Sequence, residues 1–119
     1  MISPYSWILR NLLESVNGAV AVGFADYDGE TVQLEGDFED YSHRLNLACQ
    51  GIVLHNLQAF HRQFGETPIC INIIYQDFRL LIHPLRSGYY LVLTLKRNSN
   101  LHQAARHLER VAEELNQDL

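Results

Sequence analysis

Near the start of the chain, apolar residues recur at helical spacing: Tyr5, Ile8, Leu9, Leu12, Leu13 and Val16 fall on one stripe. The spacing predicts a helix over 3–17, opened by Ser3-Pro4 with Pro at the first helical position and stopped by Asn17-Gly18. The period then shortens to two. AVAVGFAD and TVQLEG read as strands joined at Asp28-Gly29, a pair that favours a two-residue type I′ turn with Tyr27 facing Glu30. In the second strand Val32 and Leu34 point one way, and Thr31, Gln33 and Glu35 the other, which suits a solvent-facing edge. Residues 39–64 return to the helical period, with acids at the start to suit the helix dipole and Gly65 as a stop. Three strands follow: PICINIIY, FRLLIHPL and YYLVLTLK. Their links are a tight turn at Gln76-Asp77 and the segment Arg86-Ser87-Gly88. Asn98-Ser99-Asn100 offers caps for a last helix, whose stripe runs from Leu101 through Ala104, Leu108 and Val111 to Leu115. The order α-β-β-α-β-β-β-α, with short hairpin links, predicts an α+β fold: a largely antiparallel sheet with helices packed on it.

Two features of this pattern exceed what one chain can cover. The long helix carries a main stripe of Tyr41, Leu45, Ala48, Cys49, Ile52, Val53, Leu57, Phe60 and Phe64, which is expected to lie on the sheet. Leu47 and Leu54 then project roughly 140° away from its centre, with Gly51 between them. A lone exposed leucine is ordinary, but two aligned with a small residue suit the close approach of another helix. Burying both would contribute roughly 3–6 kcal/mol, too little to hold a dimer without further contacts. The second feature is PICINIIY. Ile69, Ile71, Ile73 and Tyr75 are apolar on one face, and Cys70 and Ile74 on the other. Such a strand is either internal to a sheet or an apolar edge that invites pairing with another chain.

Composition narrows the function classes. The 119 residues suit one domain, 1–119, and 47% hydrophobic residues suffice for a core. A net charge of −5 with scattered basic residues argues against nucleic acid as a partner, and a single lysine, Lys96, against a polybasic membrane patch. No apolar run approaches the roughly 20 residues that span a bilayer, so membrane insertion is not expected. Two cysteines in apolar runs, Cys49 and Cys70, and no visible signal peptide lead us to expect a reduced, cytoplasmic protein.

The whole pattern resembles the Roadblock/LC7 family. The likeness runs from the leading helix ending at VNGAVAV, through FADYDGETV and the long helix, to LLIHPLRSGYYLVLTLKRNSNLHQAARHLERVAEEL. Its most telling piece is IHPLRSGYYLVLTL running into NSNL and a terminal helix. The resemblance implies a five-stranded antiparallel sheet in the order 2-1-5-4-3, with helix 2 on one face and helices 1 and 3 on the other. It implies homodimerisation, strand 3 on strand 3 and helix 2 on helix 2. The expected interface residues are Leu47, Gly51, Leu54, Gln58 and His61 on the helix, with Ile69, Ile71, Ile73 and Tyr75 on the strand. It also implies a platform, scaffold or regulator for a small Ras-like GTPase. In the bacterial polarity branch the relative is a dimeric GTPase-activating protein that repositions the GTPase's own residues.

Candidate chemistry within the chain is thin. DYDGE does not fit a calcium loop, because Gly29 follows Asp28 too soon and Glu35 misses the twelfth place. His55 and His61 are six apart and His102 and His107 five, so no histidine pair has the helical metal spacing. A two-residue turn at Gln76-Asp77 would make Cys70 and His83 cross-strand partners, which is two ligands and not a zinc site. No phosphate-binding glycine motif occurs, so no nucleotide, cofactor or metal is expected in the chain itself, and no catalytic residue. Arg44, Arg62, Arg86 and Arg97 are surface arginines read as solvated charge, not as arginine fingers. Two other classes stay open: a small acidic dimeric chaperone or adaptor, and a ligand-binding sensor domain. Against the sensor, the periodic stripes offer no apolar void with converging polar groups.

Overall fold

The computed structural model describes residues 3–37 and 39–119. Helix α1 spans Pro4–Ser15. Ser3 caps it, its Oγ accepting from the Tyr5 amide at 3.1 Å, and Pro4 supplies the first turn. Strands β1 (Ala19–Ala25) and β2 (Thr31–Gly36) follow, then α2 (Asp40–His61), which ends in a tight turn at Arg62–Phe64 with Gly65 in the left-handed conformation. Strands β3 (Ile71–Ile74), β4 (Phe78–Pro84) and β5 (Tyr90–Lys96) lead to α3 (Leu101–Asn116), capped by Asn100 as its sequence suggests. The sheet order is β2-β1-β5-β4-β3, all neighbours antiparallel, as the family resemblance implies.

Alternation along the inner strands splits the core in two. Val22, Phe24, Leu81, Leu91, Leu93 and Leu95 meet α1 and α3 on one face. Ala25, Leu80, Ile82, Tyr90 and Val92 meet α2 on the other, with Ile71 and Ile73 packed at the margin. Register explains that margin: Ile71 pairs with Ile82 and Ile73 with Leu80, so both isoleucines point to the α2 side.

The first hairpin differs from its expected form. The Gly29 amide donates to the Asp26 carbonyl and the Asp26 amide to the Glu30 carbonyl, both at 3.0 Å, with Gly29 at φ +83°. This is a four-residue turn, 26–29, whose last residue is the left-handed Gly29, in place of the two-residue type I′ turn. Asp26 decides the matter: its Oδ1 accepts from the amides of Asp28 and Glu30 and stabilises the wider loop. The second hairpin is as tight as expected, the Tyr75 amide donating to the Phe78 carbonyl across Gln76-Asp77. The polar face of β2 is also not bare, because α1 packs on it. Ser6 Oγ donates to Glu35 at 2.5 Å and Arg10 approaches the same carboxylate at 3.5 Å.

The largest correction concerns α2. Leu47 and Leu54 do not face away from the sheet; they are 0% and 1% exposed, and Gly51 is buried between them. Leu47 lies over Gly23 of β1, where a Cβ would come within 2.9 Å of both its methyl carbons. Gly51 lies against the Tyr90 ring, whose hydroxyl donates to the Leu47 carbonyl at 2.9 Å. The small residues let the helix sit close to its own sheet. The close approach that Gly51 announces is therefore met within the protomer.

Candidate protein-interaction site

With Leu47, Gly51 and Leu54 turned inward, the expected main stripe of α2 is the side left open. Tyr41 is 71% exposed, Leu45 53%, Ile52 64%, and Phe60 and Phe64 are exposed beyond them. Leu47, Gly51 and Leu54 thus leave the set of candidate interface residues, having no surface to offer. Gln58 and His61 are half-buried near the end of α2, the His61 Nδ1 donating to the Leu57 carbonyl at 2.9 Å. Of the strand candidates, Ile71 and Ile73 lie on β3 and Ile69 and Tyr75 flank it; β3 is an edge strand paired only with β4, as the resemblance implies. Ile69 and Tyr75 are exposed, Ile71 and Ile73 half-buried, and Ile74 is exposed on the opposite face. Cys70 lies one residue before the β3–β4 ladder, so the expected Cys70–His83 pair falls outside it. The thiol is exposed, and the His83 Nδ1 donates to the Pro84 carbonyl.

Two flanks of α2 can be told apart. Ser42, His43 and Asn46 face β4 and the β3–β4 turn across an open cleft of about 510 Å³, lined on the far side by Tyr75, Gln76, Asp77, Phe78, Leu80 and Thr94. At about 100° per residue, Val53, Leu57 and Phe60 continue along the same flank. The opposite flank meets the β1–β2 hairpin: Gly29 lies beside Ala48, and the Tyr27 and His55 rings stack at 4.5 Å.

The cleft contradicts the expectation of no void. Its walls are largely apolar, and at its back the buried Thr94 hydroxyl has no hydrogen-bond partner among the described residues. Periodicity could not reveal it, because it arises where α2 leans towards β1 and β2 and leaves β4 and β3 thinly covered. Burial pushes the His43 imidazole below its ordinary pKa, with Arg44 adding to the effect and Asp40 opposing it.

Of the surface arginines, Arg44 donates from Nε to Asp40 at 2.8 Å and Arg97 to the Tyr75 carbonyl at 3.3 Å. Neither geometry holds an arginine out for a partner. No group of three metal-ligating side chains gathers among the described residues, and none of the described helices is long and apolar enough to cross a membrane.

No protein-family profile and no curated protein matches the chain by sequence. Solved structures do match it. A Roadblock/LC7 domain from Streptomyces avermitilis superimposes with a TM-score of 0.82 at 16% identity, covering 93% of each chain. The fold is that of Roadblock/LC7 domains. Myxococcus xanthus MglB aligns at TM-score 0.84 and 13% identity over 97% of this chain and 96% of its own. The gliding protein MglB of Thermus thermophilus aligns at 0.85 and 17% over 98% and 91%. At identities of 13–17% the likeness lies in the fold.

Proposed function

We propose that the protein is a homodimeric regulator or scaffold that binds a small Ras-like GTPase and has no catalytic site of its own. The observation that carries the dimer is the β3 edge. One side of the strand is paired with β4; the other offers its backbone, bordered by exposed Ile69, Ile74 and Tyr75 and by the apolar flank of α2. An apolar edge strand without lysine or proline is a template for a second strand. A two-fold axis beside β3 would pair the strand with its own copy and extend one sheet into the other. Gln58, His61, Ile71 and Ile73, all half-buried, complete the proposed interface.

Light scattering at micromolar concentration is expected to give twice 13.7 kDa. The Ile69→Lys, Ile74→Lys double variant changes only exposed positions, and is expected to give a monomer with unchanged circular dichroism. A wild-type monomer throughout the concentration range, or a double variant that remains dimeric, would sink this interface.

The GTPase rests on the Roadblock resemblance and on the likeness to MglB. A purified Ras-like GTPase, loaded in turn with a GTP analogue and with GDP, is expected to bind in one nucleotide state at least tenfold more tightly. Binding in neither state would remove the GTPase from the reading and leave the dimer standing. The cleft beside Thr94 favours one second reading, a sensor of a small apolar ligand. Native mass spectrometry of freshly purified protein, showing one stoichiometric adduct, would move the assignment there.

A further inference from the structure

The basic residues of the chain are unevenly spread. Arg79, Arg86, Lys96, Arg97, Arg106 and Arg110 are six of the nine lysines and arginines, and Glu109 is the only acid between Phe78 and Arg110. Strand register brings part of this run to one end of the sheet. Phe78 pairs with Lys96 and Arg79 with Leu95, so Arg79 and Lys96 stand on neighbouring rungs where β4 begins and β5 ends. Arg97 lies flat across the β3–β4 turn. Its amide donates to the Asp77 carbonyl at 3.1 Å and its Nη1 to the Tyr75 carbonyl, so it adds its charge to this end without reaching outward. Helix α3 starts directly afterwards and runs back over β4; just past the far end of that strand the Arg86 amide donates to Asn116 Oδ1 at 2.8 Å. The amino-terminal half of α3 therefore lies at the Arg79 end, with His102 and Arg106 exposed about one turn apart.

These charges are not neutralised within the protomer. The ion pairs among the described residues are Arg10–Glu35 and Arg44–Asp40, both elsewhere. Arg79 is half-buried, and its Nε, sealed from solvent, has no hydrogen-bond partner among the described residues. A guanidinium set into the surface without a carboxylate is placed to take an acid from outside. The DYDGE turn, with Asp26, Asp28 and Glu30, closes the opposite end of β1, about 20 Å away. In a chain of net charge −5 the start of β4 and of α3 thus carries a local positive field.

We infer that the end of the sheet formed by Arg79, Lys96, Arg97, His102 and Arg106 is a docking site for a short acidic segment of a partner protein. The extent of the patch selects this occupant. A nucleic acid or an anionic membrane is a continuous polyanion, and it would reach past the patch to Asp37, Glu39 and Asp40, which follow β2 at the same end of the sheet. A second copy would offer its DYDGE turn, a head-to-tail contact that leaves one surface of each copy free and does not close. A short segment with several carboxylates covers the patch alone, one reaching Arg79 and the others Lys96 and Arg106. Exposed charge pairs are weak singly and gain by clustering, so this binding is modest and falls as salt rises. The inference rests on the proposed partner binding only for the occupant being a protein, and it adds a contact at the end of the sheet, away from α2.

Two short synthetic peptides test it, identical except that one carries aspartate and glutamate where the other carries lysine. Titrated into isotope-labelled protein at low salt, the acidic peptide is expected to shift the amides of Arg79, Lys96, Arg97, His102 and Arg106. It is expected to bind at least tenfold more tightly than the basic peptide. Lys96→Glu with Arg106→Glu changes two exposed positions. It is expected to weaken the acidic peptide at least tenfold, with circular dichroism and oligomeric mass unchanged. Arg44→Glu with Arg62→Glu makes the same change of net charge on α2 and the turn that follows it, and is expected to leave binding within about twofold. Equal loss in the two variants, binding of neither peptide, or shifts centred on α2 would overturn the inference. So would cosedimentation with phosphatidylserine vesicles, or retention of a DNA duplex, that Lys96→Glu with Arg106→Glu abolishes; either would give the patch to a polyanion. An oligomeric mass that climbs at low salt and is brought back by Asp28→Lys with Glu30→Lys would give it to a second copy and overturn the inference as well. A GTPase that fails to bind while the acidic peptide maps to this end counts against the GTPase alone.

Discussion

Leu54→Glu is expected to unfold the protomer and not merely to dissociate a dimer. The side chain is 1% exposed and belongs to the cluster of Ala25, Leu47, Leu80, Ile82, Tyr90 and Val92 between α2 and the sheet. Truncating such a leucine costs about 2–5 kcal/mol through lost burial and the cavity left behind. A carboxyl group there adds a desolvation cost, and it stays protonated or drags water into the core. The sum, about 4 kcal/mol or more, compares with about 5–15 kcal/mol for the whole stability of a domain of this size. Urea denaturation is expected to show a lost or much lowered midpoint, with near-ultraviolet circular dichroism collapsed. The control is Ile52→Glu, two residues earlier and 64% exposed, which is expected to change protomer stability by no more than about 0.5 kcal/mol. A Leu54→Glu variant that kept wild-type stability and lost only dimer mass would restore the outward orientation that the periodicity alone suggests.

That inversion shows where the sequence is legible and where it is not. Strand order, hairpins and caps could be read because each is a local or binary signal. Asn100 and Ser3 cap their helices, Gln76-Asp77 turns tightly, and alternation in β4 and β5 assigns residues to two faces. The facing of α2 could not be read by the same rule, which sends the side with more large apolar residues inward. The inward side here is Leu47, Gly51 and Leu54 with His43 and Gln50, and it has fewer large side chains because the helix sits so close. Gly23 below and Gly51 above hold that approach, with Leu47 filling one gap and the Tyr90 ring the other. The richer stripe faces out. Of the two features in the pattern, Leu47, Gly51 and Leu54 are met within the protomer, whereas β3 is an edge of the sheet, one of the two places its pattern allows. The cleft beside Thr94 left no trace in the pattern, because a void depends on how far one helix leans and not on residue spacing.

Gly51→Val tests the close approach itself. A Cβ at this position would run into the Tyr90 hydroxyl oxygen and stand 2.6 Å from Cζ of the ring. The ring cannot step aside cheaply: Tyr90 is fully buried and its hydroxyl donates to the Leu47 carbonyl. The helix must lift instead, opening the contacts of Leu47 and Leu54, so overpacking and a broken buried hydrogen bond act together at about 3–5 kcal/mol. Tyr90→Phe removes the atom nearest the intruding Cβ and is expected to cost about 1 kcal/mol alone. Combined with Gly51→Ala, it is expected to cost less than the two single changes added, a coupling that a double-mutant cycle reads directly. An additive cycle would mean that Gly51 does not meet Tyr90. The same hydroxyl supplies an independent signature. Burial, with smaller contributions from Asp26 and Cys49, pushes its pKa up from 10.0 to about 12. The neutral phenol is thus favoured in the folded state, so its contribution is complete below pH 10 and is lost as pH rises towards 12. Wild-type stability is expected to fall across that alkaline window more steeply than that of Tyr90→Phe, and parallel slopes would place the hydroxyl in water and not beneath α2.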